Sequence, residues 1–297
     1  MNTTSKDPSS PMVAAVDREL FSYHEFDDAR LSALAQDVAA ARPFPHLVLN
    51  DFVKVPPDEI TAAFPTGDWS GWKAFNDAYQ FNKRQCTNID VMPPVLQAMI
   101  HDLCGPAFLR FLERVSGIRG LIPDPYLVGG GLHSSGPGGV LAPHTDFHVY
   151  AQLNLFRRIN VLVYLNPEWK AEYGGCLELY QKGSKLPERE VVPVFGRMVM
   201  FRTDDRSIHG FSRPITGTSR WRNSIALYYY SSEETRDFSG DRDTHWQTHG
   251  KQSGFHMARL LAYKGFLVTS RLFSKLAHRA NPNFSPDAAP VVREKNY

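Results

Sequence analysis

The chain has 297 residues, with 33 basic against 31 acidic side chains and a formal net charge of +2. That balance gives no global pull towards nucleic acid or an anionic membrane, and no run of roughly 18 apolar residues is present to cross a bilayer. The length suits one main domain with terminal extensions. Three cysteines, Cys86, Cys104 and Cys176, form no CxxC pair, so neither a zinc clip nor a dithiol redox motif is read, and a reduced, cytoplasmic setting is expected. No nucleic-acid partner is expected either.

The first stretch, MNTTSKDPSSPMVAAVDREL, lacks the charged start and apolar run of a secretory signal, and residues 1–15 are expected to be disordered. Apolar residues at helical spacing from Arg30 to Ala41 predict a first helix, stopped by Arg42-Pro43. A strand is expected over 46–53 (HLVLNDFV) and a short helix over 56–64, whose prolines and acids suit a first turn. One longer helix is expected from about Pro94 to Val115. After Gly117 the pattern changes to short β-rich runs separated by Gly, Pro, Asn and Asp: YLVGGG, RINVLVYLN, CLELY, VVPVFGRMVMF and NSIALYYYS. Strands that never alternate regularly with helices indicate a sandwich or barrel. The expected architecture is mainly β with flanking helices: a jelly-roll core over 118–232 behind a helical layer over 28–117, the whole domain spanning 16–235.

From Thr244 to Pro286 there is no acidic residue, while Lys251, Arg259, Lys264, Arg271, Lys275 and Arg279 are spread among apolar residues. Residues 236–297 therefore read as a basic helical extension. Its apolar stripe is expected to pack on protein, and contact of 251–279 with an anionic surface is the alternative.

In PHTDF, His144 and Asp146 are two apart, which on a strand turns both side chains to one face. Two imidazoles and one carboxylate on one side of Fe(II) leave positions open for a cosubstrate and O₂. An HxD alone is weak among eleven histidines. Its weight comes from residues further down the chain: a strand leading to His209, which supplies the second imidazole, then Arg222 in RWRNSIALYYY, where alternation puts Arg222 and Ser224 on one face. A guanidinium between apolar walls can hold a carboxylate bidentately.

The ordered set HxD, YLN, GG, P-x-x-GR-x-V-x-F, H and R-x-S resembles the prolyl 4-hydroxylase-type Fe(II)/2-oxoglutarate dioxygenases over about residues 125–230, with a looser match at 44–64. The resemblance implies a double-stranded β-helix (a cupin-like jelly roll) with His144, Asp146 and His209 as catalytic iron ligands. It also implies Arg222 on the distal carboxylate of 2-oxoglutarate, with Tyr164 beside it. Fe(II), 2-oxoglutarate and O₂ are the implied cofactors, with ascorbate a further option as reductant. The expected reaction is hydroxylation of an unactivated C–H bond of an amino-acid, peptidyl or natural-product substrate, releasing succinate and CO₂. Asp146 favours hydroxylation over halogenation, which needs a vacant position at the metal. An upstream strand tyrosine common in the family has no clear equivalent in GGGLHSSGPGG, where Leu132 or His133 stands in its place. Arg220, two residues before Arg222, is the competing anchor.

Blander readings stand beside these. His133, His148 and His245 read as hydrogen-bonded core histidines, Asp204 and Asp205 as a turn, and Tyr228, Tyr229 and Tyr230 as alternating core and surface positions. The glycine run lacks both GxGxxG and a terminal Gly-Lys-Ser/Thr, so it is not a phosphate loop. The functional alternatives are a non-catalytic jelly-roll binding module and a cupin-type metal enzyme that does not use 2-oxoglutarate. Oligomeric state is not legible.

Overall fold

In the computed structural model the chain divides into two compact units, Met1–Thr248 and His249–Tyr297. The described residues are 18–232, 244–246 and, in the second unit, Ala258, Ala262, Gly265, Phe266, Thr269, Leu272, Phe273 and Leu276. The expected disordered stretch 1–15 and most of 236–297 lie outside them. The described residues of the second unit are all helical, and Phe266, Leu272, Phe273 and Leu276 are exposed there.

The first unit runs α1 (Asp28–Ala40), β1 (His46–Leu49), α2 (Pro57–Ala63), β2 (Lys73–Phe75), β3 (Gln80–Cys86), α3 (Pro94–Cys104), α4 (Pro106–Ser116), β4 (Ile122–Pro123), β5 (Gly131–Thr145), β6 (Val149–Tyr150), β7 (Leu155–Tyr164), β8 (Leu177–Tyr180), β9 (Arg189–Val191), β10 (Met198–Arg202), β11 (Ile208–Phe211), β12 (Arg222–Ser231) and β13 (His245–Trp246). Asp27 caps α1 by accepting from the Arg30 amide at 2.7 Å. The single helix expected over 94–115 is two helices. Pro106 has no amide hydrogen to donate and its ring would clash inside a continuous helix, so the chain breaks at Gly105 and restarts with Pro106 in the first turn. Of the run YLVGGG expected as a strand, only Gly131 is in β5, and the residues before it form a turn.

Hydrogen bonding runs in the order β1-β10-β7-β12-β5-β11-β8-β9, with β3 and β13 also on β5. The first half of β5 pairs with β12 and its second half with β11. One long strand thus joins the β10-β7-β12 side of the curled sheet to its β11-β8-β9 side. It does so through Gly136–Gly139, where Gly138 has φ +76°, a conformation that disfavours a side chain.

Strand alternation then sorts the residues. Ile159, Val161, Val163, Met198, Met200, Ile225, Leu227 and Tyr229 join Leu34, Val38, Leu96, Met99, Leu103, Phe108 and Leu112 of the helices in one buried core. This is the expected helical layer, packed on the outer face of β10-β7-β12. The opposite parity, including Tyr164, Val199, Phe201, Arg222 and Ser224, points into the curled sheet, where the site lies.

Candidate metal centre

His144 is the penultimate residue of β5 and His209 lies on β11 directly opposite it in register, while Asp146 follows the last residue of β5. Ligand atoms of the three side chains lie within 4.8 Å of one another, and all three residues are buried. His144 Nε2 is 3.6 Å from Asp146 Oδ1, and His209 Nε2 is 3.6 Å from Asp146 Oδ2.

Each ring is oriented from behind. Nδ1 of His144 contacts the Ala142 carbonyl at 2.8 Å and Nδ1 of His209 contacts the Ser207 carbonyl at 2.9 Å. A carbonyl only accepts, so Nδ1 carries the proton and Nε2 presents its lone pair to the centre. Burial, reinforced by His144, pushes His209 down to about 4, which keeps it a neutral ligand. Burial would push the Asp146 carboxyl up, but Arg157 and the two histidines hold it well below the usual range. Two imidazoles and one ionised carboxylate on one side of a cavity form the donor set that suits Fe(II) with positions left open.

The sequence did not single out Arg157 and Asn160, which complete this centre. Asn160 Nδ2 donates to Asp146 Oδ2 at 2.6 Å, Arg157 Nη2 lies 3.2 Å from the same oxygen, and Arg157 Nε donates to Asn160 Oδ1 at 2.8 Å. The Arg157 guanidinium is itself stacked 3.4 Å from the Tyr228 ring centroid.

The cavity holds about 240 Å³, with His144, Asp146 and His209 in its wall along with Arg222 and Ser224. Arg222 donates through Nε to the Gly175 carbonyl at 2.6 Å and through Nη2 to the Tyr164 hydroxyl at 3.2 Å, and it lies over the Phe211 ring at 4.5 Å. Ser224 is registered against both Tyr164 and His133. Arg220 does not share this face. It is half exposed, precedes β12 and pairs with Glu168 at 2.8 Å.

Of the residues read as bland, His133 and Tyr228 turn out to line the cavity. Of the two residues at that point of the strand, His133 faces the cavity while Leu132 is in the core behind. Burial, with Lys83 and Arg222 nearby, keeps His133 far below the ordinary histidine range. Tyr229 is core and His148 is fully buried, as expected. Asp204 organises a turn with Arg206 and Ser207. The side chain of His245 lies outside the described residues. Trp246, registered opposite His144 with ring centroids 4.5 Å apart, forms a wall that no sequence pattern indicated.

Residues 130–230 match the sequence model of the 2OG-Fe(II) oxygenase superfamily. The match agrees with the resemblance to the prolyl 4-hydroxylase type. Over 84 residues the chain is 31% identical to prolyl 3-hydroxylase OGFOD1 of Mus musculus, a stretch that is 27% of this chain and 15% of the length of that relative. Among solved structures, a prolyl-4-hydroxylase of Pseudomonas putida aligns with 18% identity and a TM-score of 0.44, covering 68% of this chain and 98% of that one. HygX of Streptomyces hygroscopicus, solved with nickel and 2-oxoglutarate bound, aligns with 14% identity and a TM-score of 0.46, covering 68% and 92%.

Proposed function

We propose that the protein is an Fe(II)- and 2-oxoglutarate-dependent dioxygenase that hydroxylates a C–H bond, with His144, Asp146 and His209 holding the metal. One observation carries this reading. A cavity lined by a buried two-histidine, one-carboxylate cluster is also lined by an arginine whose guanidinium is backed by a tyrosine hydroxyl. When bound, iron and 2-oxoglutarate supply the oxidising chemistry, in which one O₂ yields succinate, CO₂ and a hydroxylated product.

The protein's own groups do the placing. His144 and His209 present unprotonated Nε2 atoms, and Asn160 and Arg157 fix one Asp146 oxygen. Arg222 and Tyr164 hold the far carboxylate of the cosubstrate, with Ser224 in the same row. Phe211, Leu162 and Leu177 line the same cavity and keep water from the charge-assisted bonds. Among the described residues no helix is long and apolar enough to cross a membrane. Cys86, Cys104 and Cys176 are free thiols, which supports the reading of a reducing, cytoplasmic compartment.

The test is succinate formation from 2-oxoglutarate by purified protein supplied with Fe(II) and O₂, with a panel of amino acids, peptides and small metabolites as candidate substrates. Succinate release that needs both Fe(II) and 2-oxoglutarate supports the reading. Metal-dependent oxidation of a substrate without 2-oxoglutarate would replace it with the cupin-type alternative.

A further inference from the structure

Among the described residues, two cations of the cavity, Lys83 and Arg222, have no carboxylate within ion-pair distance. Three basic side chains line it, Lys83, Arg157 and Arg222, against a single carboxylate, Asp146. Arg157 is bound to Asp146 and Asn160, and Arg222 is turned to Gly175 and Tyr164. Lys83 Nζ donates to the neutral Gln80 Oε1, at 2.9 Å, and lies 5.6 Å from the centroid of the Phe75 ring.

The backbone aims Lys83 inward. The pairing of β3 with β5 is irregular between Phe81 and Lys83, where Asn82 has φ +44°. The Asn82 amide donates to Asn76 Oδ1 at 2.8 Å and its side chain to the Pro137 carbonyl at 2.9 Å. This bulge shifts the phase of alternation, so Gln80 and Lys83, three apart, both line the cavity, followed by Gln85. Lys83 and Arg222 are each registered against Ser135, from opposite sides of β5.

On the oxygenase reading, iron and these three cations face Asp146 and the two carboxylates of 2-oxoglutarate, which leaves the loaded cavity with an excess of positive charge. We propose that Lys83, steadied by Gln80, is a substrate-binding residue that receives a carboxylate of the primary substrate, so that the enzyme acts on carboxylate-bearing molecules. A single lysine facing one amide suits a singly charged carboxylate better than a phosphate dianion. Burial lowers the ammonium to about 8, so at neutral pH most of the lysine is charged, and an arriving carboxylate favours that form.

The test uses calorimetry on protein loaded with redox-inert Zn(II) and saturated with 2-oxoglutarate, so that Arg222 is already engaged. The probes are N-acetylglycine and its neutral counterpart N-acetylglycinamide. N-acetylglycine is expected to bind saturably and at least tenfold more tightly than the amide. That preference should vanish in Lys83→Met and return in Lys83→Arg, which also shows that the site tolerates substitution. Equal binding of acid and amide, no saturable binding of the acid, or a preference that survives in Lys83→Met overturns the inference. So does a tenfold loss of 2-oxoglutarate affinity in Lys83→Met, because the lysine would then belong to the cosubstrate. Failure of 2-oxoglutarate to bind the metal-loaded protein overturns the underlying oxygenase reading as well, whereas the other contrary results leave that reading standing.

Discussion

Replacing Arg222 with alanine removes the guanidinium proposed to meet the distal carboxylate of 2-oxoglutarate. Arg222 is 6% exposed, its Nε is fixed by the Gly175 carbonyl, and its Nη2 reaches Tyr164. In the variant the carboxylate enters a buried pocket with the Tyr164 hydroxyl but no cation. Truncating one partner of a buried charge pair costs about 2–5 kcal/mol, and each ~1.4 kcal/mol is tenfold in affinity. The dissociation constant of 2-oxoglutarate should therefore rise roughly thirtyfold to a few thousandfold, measured by calorimetry on Zn(II)-loaded protein. The Arg222→Lys variant keeps the charge without the bidentate fork and should recover part of the loss. Thermal unfolding checks that the Gly175 carbonyl, left without its donor, has not simply destabilised the fold. A change below about threefold in a folded Arg222→Ala protein would refute the assignment, and a larger defect in Arg220→Ala would move the anchor to the exposed arginine.

Asn160→Ala should weaken metal binding by roughly 10–100-fold, since it frees the Asp146 oxygen that Asn160 now orients; metal titration that leaves the affinity unchanged would deny the contact that role. Gly175→Ala should lower 2-oxoglutarate affinity, because Gly175 has φ +63° and an added Cβ would stand 3.1 Å from Arg222 Cδ and 3.0 Å from Ile215 Cγ1; normal cosubstrate binding would contradict that tight fit. For pH, burial keeps folded His133 neutral where the unfolded chain protonates, so its contribution is full above about 6.5 and stability is lost as pH falls below that value. Urea unfolding of metal-free protein between pH 7 and pH 5 should show a shallower loss in His133→Gln than in the parent, and equal slopes would assign the acid sensitivity elsewhere.

Strand alternation decides which parts of the site were legible in the sequence and which were hidden. His144 and Asp146 were legible because period two puts them on one face, and Arg222 with Ser224 because the same rule holds through β12. The outer parity of β7, β10 and β12 was equally readable as apolar core. The two residues that complete the cavity, Lys83 and Arg157, sit where that parity breaks. Lys83 comes just after the irregularity at Asn82, and Arg157 is placed by a register shift in which Tyr229 and Tyr230 oppose Ile159 and Arg157, skipping Arg158. A bulge leaves no mark in the pattern of apolar and polar residues. The polar run QFNKRQC likewise gives little β signal, so β3 appeared only once its pairing with β5 was seen. The break between α3 and α4 was carried by Gly105-Pro106 and could have been read, since proline inside a helical pattern ends it at the preceding residue. Trp246 reaches His144 through a two-residue strand, too short for periodicity to signal.

The account depends on metal and cosubstrate sharing one cavity, and anaerobic calorimetry of 2-oxoglutarate binding with and without Fe(II) tests this most directly. The prediction is one 2-oxoglutarate per chain, bound at least tenfold more tightly when Fe(II) is present, with that metal dependence lost in His209→Ala. Equal affinity with and without metal, or metal-dependent binding that persists in His209→Ala, would contradict it.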